Sequence, residues 1–331
     1  MTNYSIVIRT LGTGGGKYQR LLDSIKSQTI QPKHIFVFIA EGYELPAEQI
    51  GTEEFIYTRK GMWHQRVYGL EYASKLNDVD YILALDDDIS FDSDFAANSI
   101  QWMLSNDCDV LAPDLVKKEG ASRMTQSLLS PFNIFYSLMG TRIENHFQKW
   151  RVKIIATGGF MANTKGKSDA MPTQSAQFTA FWIKSGKIAE LKLKDEYWLE
   201  GTAYALPDDQ VFFYKCYLLG VKQYMHEKYT VVHLDHGSSS PDRLVLGNYA
   251  DGRNFLIFWH RFLYLPAKGA RKLWLIICHV YRIVMHFLFL IVRGVIKFDF
   301  RPLKAYTNGV RDALCYIKST EYQGLAKIVK Q

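Results

Sequence analysis

Four short apolar runs, SIVIR (residues 5–9), HIFVFIA (34–40), EFIYT (54–58) and YILAL (81–85), punctuate the beginning of the chain. Between the first two, YQRLLDSIKSQ repeats Leu21, Leu22 and Ile25 at helical spacing. Between the last two, WHQRVYGLEYASKL sets Val67, Leu70 and Ala73 or Ser74 on one side. Strands that alternate with helices of a dozen residues predict an α/β fold with a mostly parallel sheet and helices on both faces. In such a sheet the ligand crevice opens beyond the C-terminal ends of the strands.

Further along, FAANSIQWML reads as a helix, and DVLAP, QFTAFWI and YTVVH read as strands. PDDQVFFYKCYLLG reads as a helix that Pro207 opens, with two acids in its first turn. Residues from roughly 117 to 172 have no clear period and are expected to be loops and substrate-facing insertions. Trp150, Gln177, Phe178 and Trp182 either line an acceptor there or belong to the core.

With 331 residues and 48% hydrophobic content, the chain can fill the core of one large domain, with or without an appendage. Cys108, Cys216, Cys278 and Cys315 form no CxxC pair, which fits free thiols in a reducing, cytosolic compartment. No basic and apolar leader precedes SIVIRT, so a cleaved secretory signal is not expected. A net charge of +7 suits nucleic acid, an anionic membrane surface or a phosphorylated ligand, and only position can rank these.

Position points to the tail. From Asn248 onward short strands give way to apolar and basic residues, dividing the chain into residues 1–247 and a helical, membrane-associating region 248–331. Leu273–Val292 has the length of a membrane span. At about 100° per residue, however, Lys268, Lys272, His279, Arg282, His286, Arg293 and Lys297 fall within one sector of roughly 80°. Charge at the bilayer centre is costly, so a spanning helix or one packed on the domain is less expected than an in-plane helix. That helix would turn its basic side to anionic headgroups. Nucleic acid is then not needed to explain the charge.

In YILALDDDISF, three carboxylates crowd the end of an apolar strand. Neighbouring carboxylates raise one another's pKa, and a hard divalent cation would relieve them. A solvated acidic turn is the alternative. Leu11–Lys17 (LGTGGGK) suggests a phosphate cradle, but a P-loop needs Gly where Leu11 stands and Ser or Thr where Tyr18 stands. Asp208 and Asp209 at a helix start could supply a general base or simply cap the helix. His233 and His236 follow the last strand, where a neutral imidazole could join the acids on a metal or be structural.

Taken in order, these stretches resemble the family 2 glycosyltransferases of GT-A fold. The resemblance runs from IVIRT through LLDSIKSQTIQPKHI and GMWHQRVYGLEYA to LALDDDISF as the Asp-x-Asp motif, with PDDQVFF at the family's Glu-Asp and VVHLDHGSSS near its metal-binding histidine. YADGRNFLIFWHRF and the tail look like membrane-proximal members that build surface polysaccharide. The resemblance implies a metal-dependent, inverting transfer of a sugar from a nucleotide-diphosphate sugar to a hydroxyl, on a glycan or lipid-linked glycan, at the inner face of the cell membrane.

Residue by residue it implies Asp209 as the catalytic base and Thr10, Arg66, Asp86 and Asp87 around the nucleotide. Asp86, Asp88 and His233, with His236 second to it, would hold Mn²⁺ or Mg²⁺. The family usually ends its second strand with an Asp that reads uracil; Glu41 is the nearest acid here, so the donor's base stays open. Val67 and Asp208 replace the family's Asn and Glu. Two other classes stay in play. Asp86, Asp88 and Ser90 also fit the short motif of aspartate-nucleophile phosphatases, and a non-catalytic membrane adaptor would need only the tail and a folded core.

Overall fold

The computed structural model describes residues 2–117, 149–163, 169–234 and 242–328. The opening strands and helices form as their apolar spacing predicts: β1 (Tyr4–Thr10), α1 (Gly16–Lys26), β2 (His34–Ala40), β3 (Glu53–Thr58), α2 (Met62–Ala73) and β4 (Tyr81–Asp86). There follow β5 (Ile89–Ser90), α3 (Phe95–Ser105), β6 (Val110–Lys117), β7 (Val152–Ile154), β8 (Phe160–Ala162), β9 (Ala170–Pro172), β10 (Ala180–Lys184) and α4 (Ile188–Leu191). After a 3₁₀ segment, Leu193–Gly201, come α5 (Asp208–Leu218), β11 (Gln223–His233), α6 (Arg243–Phe258), α7 (Ala270–Lys297), α8 (Arg301–Ile317) and α9 (Thr320–Gly324).

The central sheet runs β3-β2-β1-β4-β10-β6-β11-β5, with β9 paired to β11. β3, β2, β1 and β4 are mutually parallel, and β6 is parallel to β11; β10 runs antiparallel between β4 and β6. The side-chain period of two sorts the core onto two faces. Ile6, Ile8, Leu83 and Leu85 meet Leu21, Leu22, Ile25, Ile100 and Met103 on one side. Val7, Phe36, Phe38, Ile82 and Ala84 meet Val67, Leu70, Phe212 and Phe213 on the other. Helix α2 lies close on that second face: a Cβ on Gly69 would come within 2.6 Å of Val7 Cγ1.

The second cluster continues without interruption into Ile257, Phe258, Phe262, Leu275, Cys278 and Ala313. The boundary read at 247/248 falls inside α6, and the C-terminal helices share the core of the sheet. α6 and α8 cross almost backbone to backbone, since a Cβ on Gly252 would sit 2.4 Å from the Tyr306 carbonyl oxygen. A buried triad adds a polar tie. Glu196 accepts from Lys215 Nζ on α5 (2.7 Å) and from Arg261 Nε and Nη2 beyond α6 (2.8 and 2.9 Å). Burial pushes the Glu196 carboxyl up, but Lys215 and Arg261 outweigh it and hold it below the ordinary range.

Helix α7 departs from the sequence reading. The middle of its basic stripe faces the protein, not a headgroup layer. His279 stacks on Trp259 at 4.3 Å, with Nδ1 2.8 Å from the Thr157 carbonyl oxygen. Arg282 Nη2 donates to Asp251 Oδ1 at 2.9 Å, and His286 Nε2 lies 3.1 Å from Asn248 Oδ1. Polar groups on α6 and after β7 supply partners at short range, and the apolar side is left outward. Among the described residues, α7 is the one helix long and apolar enough to cross a membrane.

Candidate active site

The parallel register puts two charged strand ends side by side. Arg9 and Asp86 are paired positions at the C-terminal ends of β1 and β4. Arg9 grips Asp86 with two prongs, Nε to Oδ1 at 2.6 Å and Nη2 to Oδ2 at 3.2 Å. Arg66, 3% exposed on α2 and stacked 3.8 Å over the Phe178 ring, donates to the same Oδ1. Burial pushes the Asp86 carboxyl up, but the two guanidiniums prevail and hold it below its usual value. The converse holds for Arg66: burial and repulsion from Arg9 bring it down to about 10.

Asp87 and Asp88 form the turn after β4. Asp87 accepts a short hydrogen bond from the Thr10 hydroxyl, which itself accepts from Gly12 N at 2.9 Å. Burial, with help from Asp86 and Asp88, pushes the Asp87 carboxyl up to about 6 despite that bond. The turn is pinned to the last long strand, because Val232 and His233 pair with Ser90 and Ile89 and Leu234 N donates to the Asp88 carbonyl at 2.7 Å. That pairing brings His233 Nε2 to 3.1 Å from Asp88 Oδ2.

Above the strand ends lies a cavity of about 810 Å³, bordered by Thr10, the loop Leu11–Lys17, Lys60, Asp86, Asp87, Asp88, Glu200 and Tyr204. Two lysines and three aspartates on one concave wall suit a ligand with anionic groups that a cation bridges. The Gly-rich loop therefore borders the cavity without being a Walker site. Glu200 Oε1 accepts from Trp63 N (2.6 Å) and His64 N (2.8 Å), capping α2 at the cavity rim. Gly61 makes room for it, since a Cβ there would fall 2.4 Å from Glu200 Oε2.

Asp208 and Asp209 open α5. Asp208 Oδ1 accepts from Asp209 N at 3.0 Å, and Asp209 Oδ1 accepts from Gln210 N at 2.7 Å. Burial raises the Asp208 carboxyl, while Arg66 and Arg9 partly offset it, so those guanidiniums lie within electrostatic reach of both Asp86 and Asp208. Burial and repulsion from Asp208 push Asp209 up to about 7, suited to a base working near neutrality. Asp209 itself does not border the cavity, whose lining reaches Ala205 on this segment.

The expected residues thus divide. Thr10, Asp86, Asp87 and Asp88 border the cavity, and His233 joins Asp88. Arg66 lies beneath the wall. The pairing of Asp86 with Asp88 on a metal is revised: both Asp86 carboxylate oxygens are bound by guanidiniums, whereas Asp88 is in contact with His233. Glu41 is also revised: it follows the end of β2 at Ala40, is exposed, and is not among the residues that border the cavity. His236 lies outside the described residues. Trp182 is core, packed on Tyr4 and Phe95, and Phe178 is buried under Arg66. Arg9, Lys60 and Glu200 were missed, and Lys17 was read only as part of the Gly-rich loop. Of the three, Arg9 carried a signal, a charge ending a buried strand.

Among the described residues no group of three or more His, Cys, Asp or Glu side chains is arranged to hold a metal ion. Mg²⁺-like ions, however, are held by one or two carboxylates together with substrate phosphates and water. Asp88 is such a carboxylate, and the His233 imidazole in contact with it is a ligand for a softer divalent ion than Mg²⁺, with phosphates and water to complete the shell.

No family model and no curated protein matches the sequence. The fold does have solved counterparts. The structure of S. aureus TarS 1–349 in complex with UDP-GlcNAc is similar at 13% identity and a TM-score of 0.54, over 95% of this chain and 81% of that one. The structure of GalNAc-T7 with UDP, GalNAc and Mn²⁺ is similar at 13% identity and a TM-score of 0.51, over 79% of this chain and 50% of that one. The mostly parallel sheet flanked by helices is the architecture shared with these neighbours.

Proposed function

We propose that the chain is an inverting glycosyltransferase of the family 2 type that takes a nucleotide-diphosphate sugar as donor and a glycan hydroxyl as acceptor. The observation that carries this reading is the Asp88–His233 pair on the wall of a cavity that Lys17 and Lys60 also line. Its fold, shared with one structure holding UDP-GlcNAc and another holding UDP, GalNAc and Mn²⁺, supports it. Asp88 and His233 would hold Mn²⁺ or Mg²⁺, which when bound offsets the charge of the departing diphosphate.

The chain's own residues supply the rest. Thr10 and Asp87 border the donor's nucleoside side, and the Arg9–Asp86–Arg66 clamp keeps the strand ends rigid beneath it. Asp209 accepts the proton of the acceptor hydroxyl as its oxygen attacks the anomeric carbon opposite the leaving diphosphate. A single base suffices, because a diphosphate needs no acid to protonate it, unlike the leaving group in glycoside hydrolysis. The acceptor in this reading is lipid-linked, and the protein sits on the cytoplasmic face of the cell membrane as a contributor to surface polysaccharide. The outward apolar side of α7 supports that placement.

The phosphatase reading is weaker. Its nucleophile would be Asp86, whose two oxygens are bound to Arg9 and Arg66. Screening a panel of nucleotide sugars for Mn²⁺-dependent hydrolysis or transfer tests the proposal. Turnover of simple phosphate esters with no action on any nucleotide sugar would replace it with the phosphatase, and the absence of metal-dependent nucleotide-sugar binding would favour the adaptor.

A further inference from the structure

Helix α7 is attached by its polar side. His279, Arg282 and His286, three successive inward positions, are each engaged by Thr157, Asp251 or Asn248. Those contacts run along the middle of the helix, so α7 could not cross a bilayer without stripping Arg282 from Asp251 and exposing the buried His279 imidazole to hydrocarbon. Its opposite side is exposed. Leu273, Ile277, Val280, Val284, Leu288, Val292 and Ile296 form one exposed apolar strip, extended past the helix end by Phe298, which is 93% exposed.

The charges around the strip say what covers it. Helix α7 contains no Asp or Glu. Exposed Lys268 and Arg271 stand at its start, and exposed Lys297 and Lys304 stand at its far end. The nearby acid, Asp299, is bound by Arg301 at 2.9 and 3.0 Å. A second copy pressed on this strip would set cationic end against cationic end in either direction, with no acid on either helix to relieve it. Anionic lipid headgroups match the ends, and acyl chains match the strip between them.

We infer that α7 is a monotopic docking surface for an anionic lipid bilayer, lying in the membrane plane with the Val280–Val284 side in the acyl boundary and the catalytic sheet held behind its polar side. The sign of the helix is thereby reversed from the sequence expectation: basic ends, not a basic flank, meet the headgroups. The surface stands on its own geometry. Its consequence, delivery of a lipid-linked acceptor, rests on the transfer reading above.

The test is co-sedimentation of the full chain with vesicles of phosphatidylcholine alone and of phosphatidylcholine mixed with phosphatidylglycerol. Nucleotide-sugar hydrolysis in solution is read on the same samples. The unaltered chain is expected to pellet with the mixed vesicles. Val280→Glu with Val284→Glu, both at exposed positions, should lower partitioning at least about hundredfold with the melting temperature unchanged. Arg271→Glu with Lys297→Glu should remove the preference for phosphatidylglycerol. Three results overturn the inference: no pelleting of the unaltered chain, partitioning indifferent to the apolar pair of changes, or a dimer that those changes dissolve without any lipid binding. Hydrolysis that persists while pelleting is absent would sink the surface alone; pelleting without action on any nucleotide sugar would sink the transfer reading alone.

Discussion

Asp86→Asn and Asp88→Asn change two residues separated by Asp87 alone at the end of β4 and should have opposite signatures. Asp86 balances two guanidiniums, one of them 3% exposed, and its own side chain is 13% exposed. Removing one partner of a buried pair costs about 3–5 kcal/mol, chiefly because the charges left behind remain unsolvated. An Asn oxygen still accepts one bond. Asp208, whose carboxyl Asp86 helps to raise, would also ionise more readily beside Arg66 and Arg9. Both effects set the expected loss near the lower end, about 3 kcal/mol. Against a total stability of roughly 5–15 kcal/mol, that is a drop in melting temperature of about 4 °C for a chain of 331 residues.

Asp88 instead sits on the cavity wall against His233, so Asp88→Asn should move the melting temperature of the unliganded protein by no more than about a degree, about 0.5 kcal/mol. Its loss should appear as Mn²⁺-dependent donor affinity. Differential scanning calorimetry with and without Mn²⁺ and donor reads both changes. A stable Asp86→Asn beside an unstable Asp88→Asn would refute the assignment of Asp86 to the arginine clamp.

The pH dependence of kcat/KM should show one limb from Asp209, pushed up to about 7. The active form is the carboxylate, so the rate should rise tenfold per pH unit below 7 and level above it; Asp209→Asn should cost at least about 100-fold and abolish that limb. A pH-independent rate would remove Asp209 as base. Glu196→Gln leaves Lys215 and Arg261 buried without the carboxylate charge they share, and thermal melting should register a loss of about 3–5 kcal/mol. Gly61→Ala displaces the Glu200 carboxylate that caps α2, for a loss of about 1 kcal/mol readable by urea denaturation.

The sheet was legible because strands buried on both faces are written as continuous apolar runs, and helices α1 and α2 as periodic ones. The acidic turn was legible because it interrupts such a run. What the sequence could not convey was partnership. Asp86, Asp87 and Asp88 are alike as letters, and only the register of β1 against β4 and of β5 against β11 gives the first to arginines, the second to Thr10 and the third to His233. The stripe on α7 was seen correctly as a stripe, but its direction depends on Asp251 and Asn248, which lie on another helix. Glu200 reaches α2 from a segment more than a hundred residues away, and no local pattern announces it.

The central claim is that Asp88 and His233 together grip a cation that a diphosphate completes. Calorimetric titration of the full chain with a nucleotide-sugar panel, with Mn²⁺ and then with a chelator, measures it directly. Donor binding that needs Mn²⁺ and disappears in both Asp88→Asn and His233→Ala is the expected result; equal binding in the chelated protein, or in either variant, would contradict it.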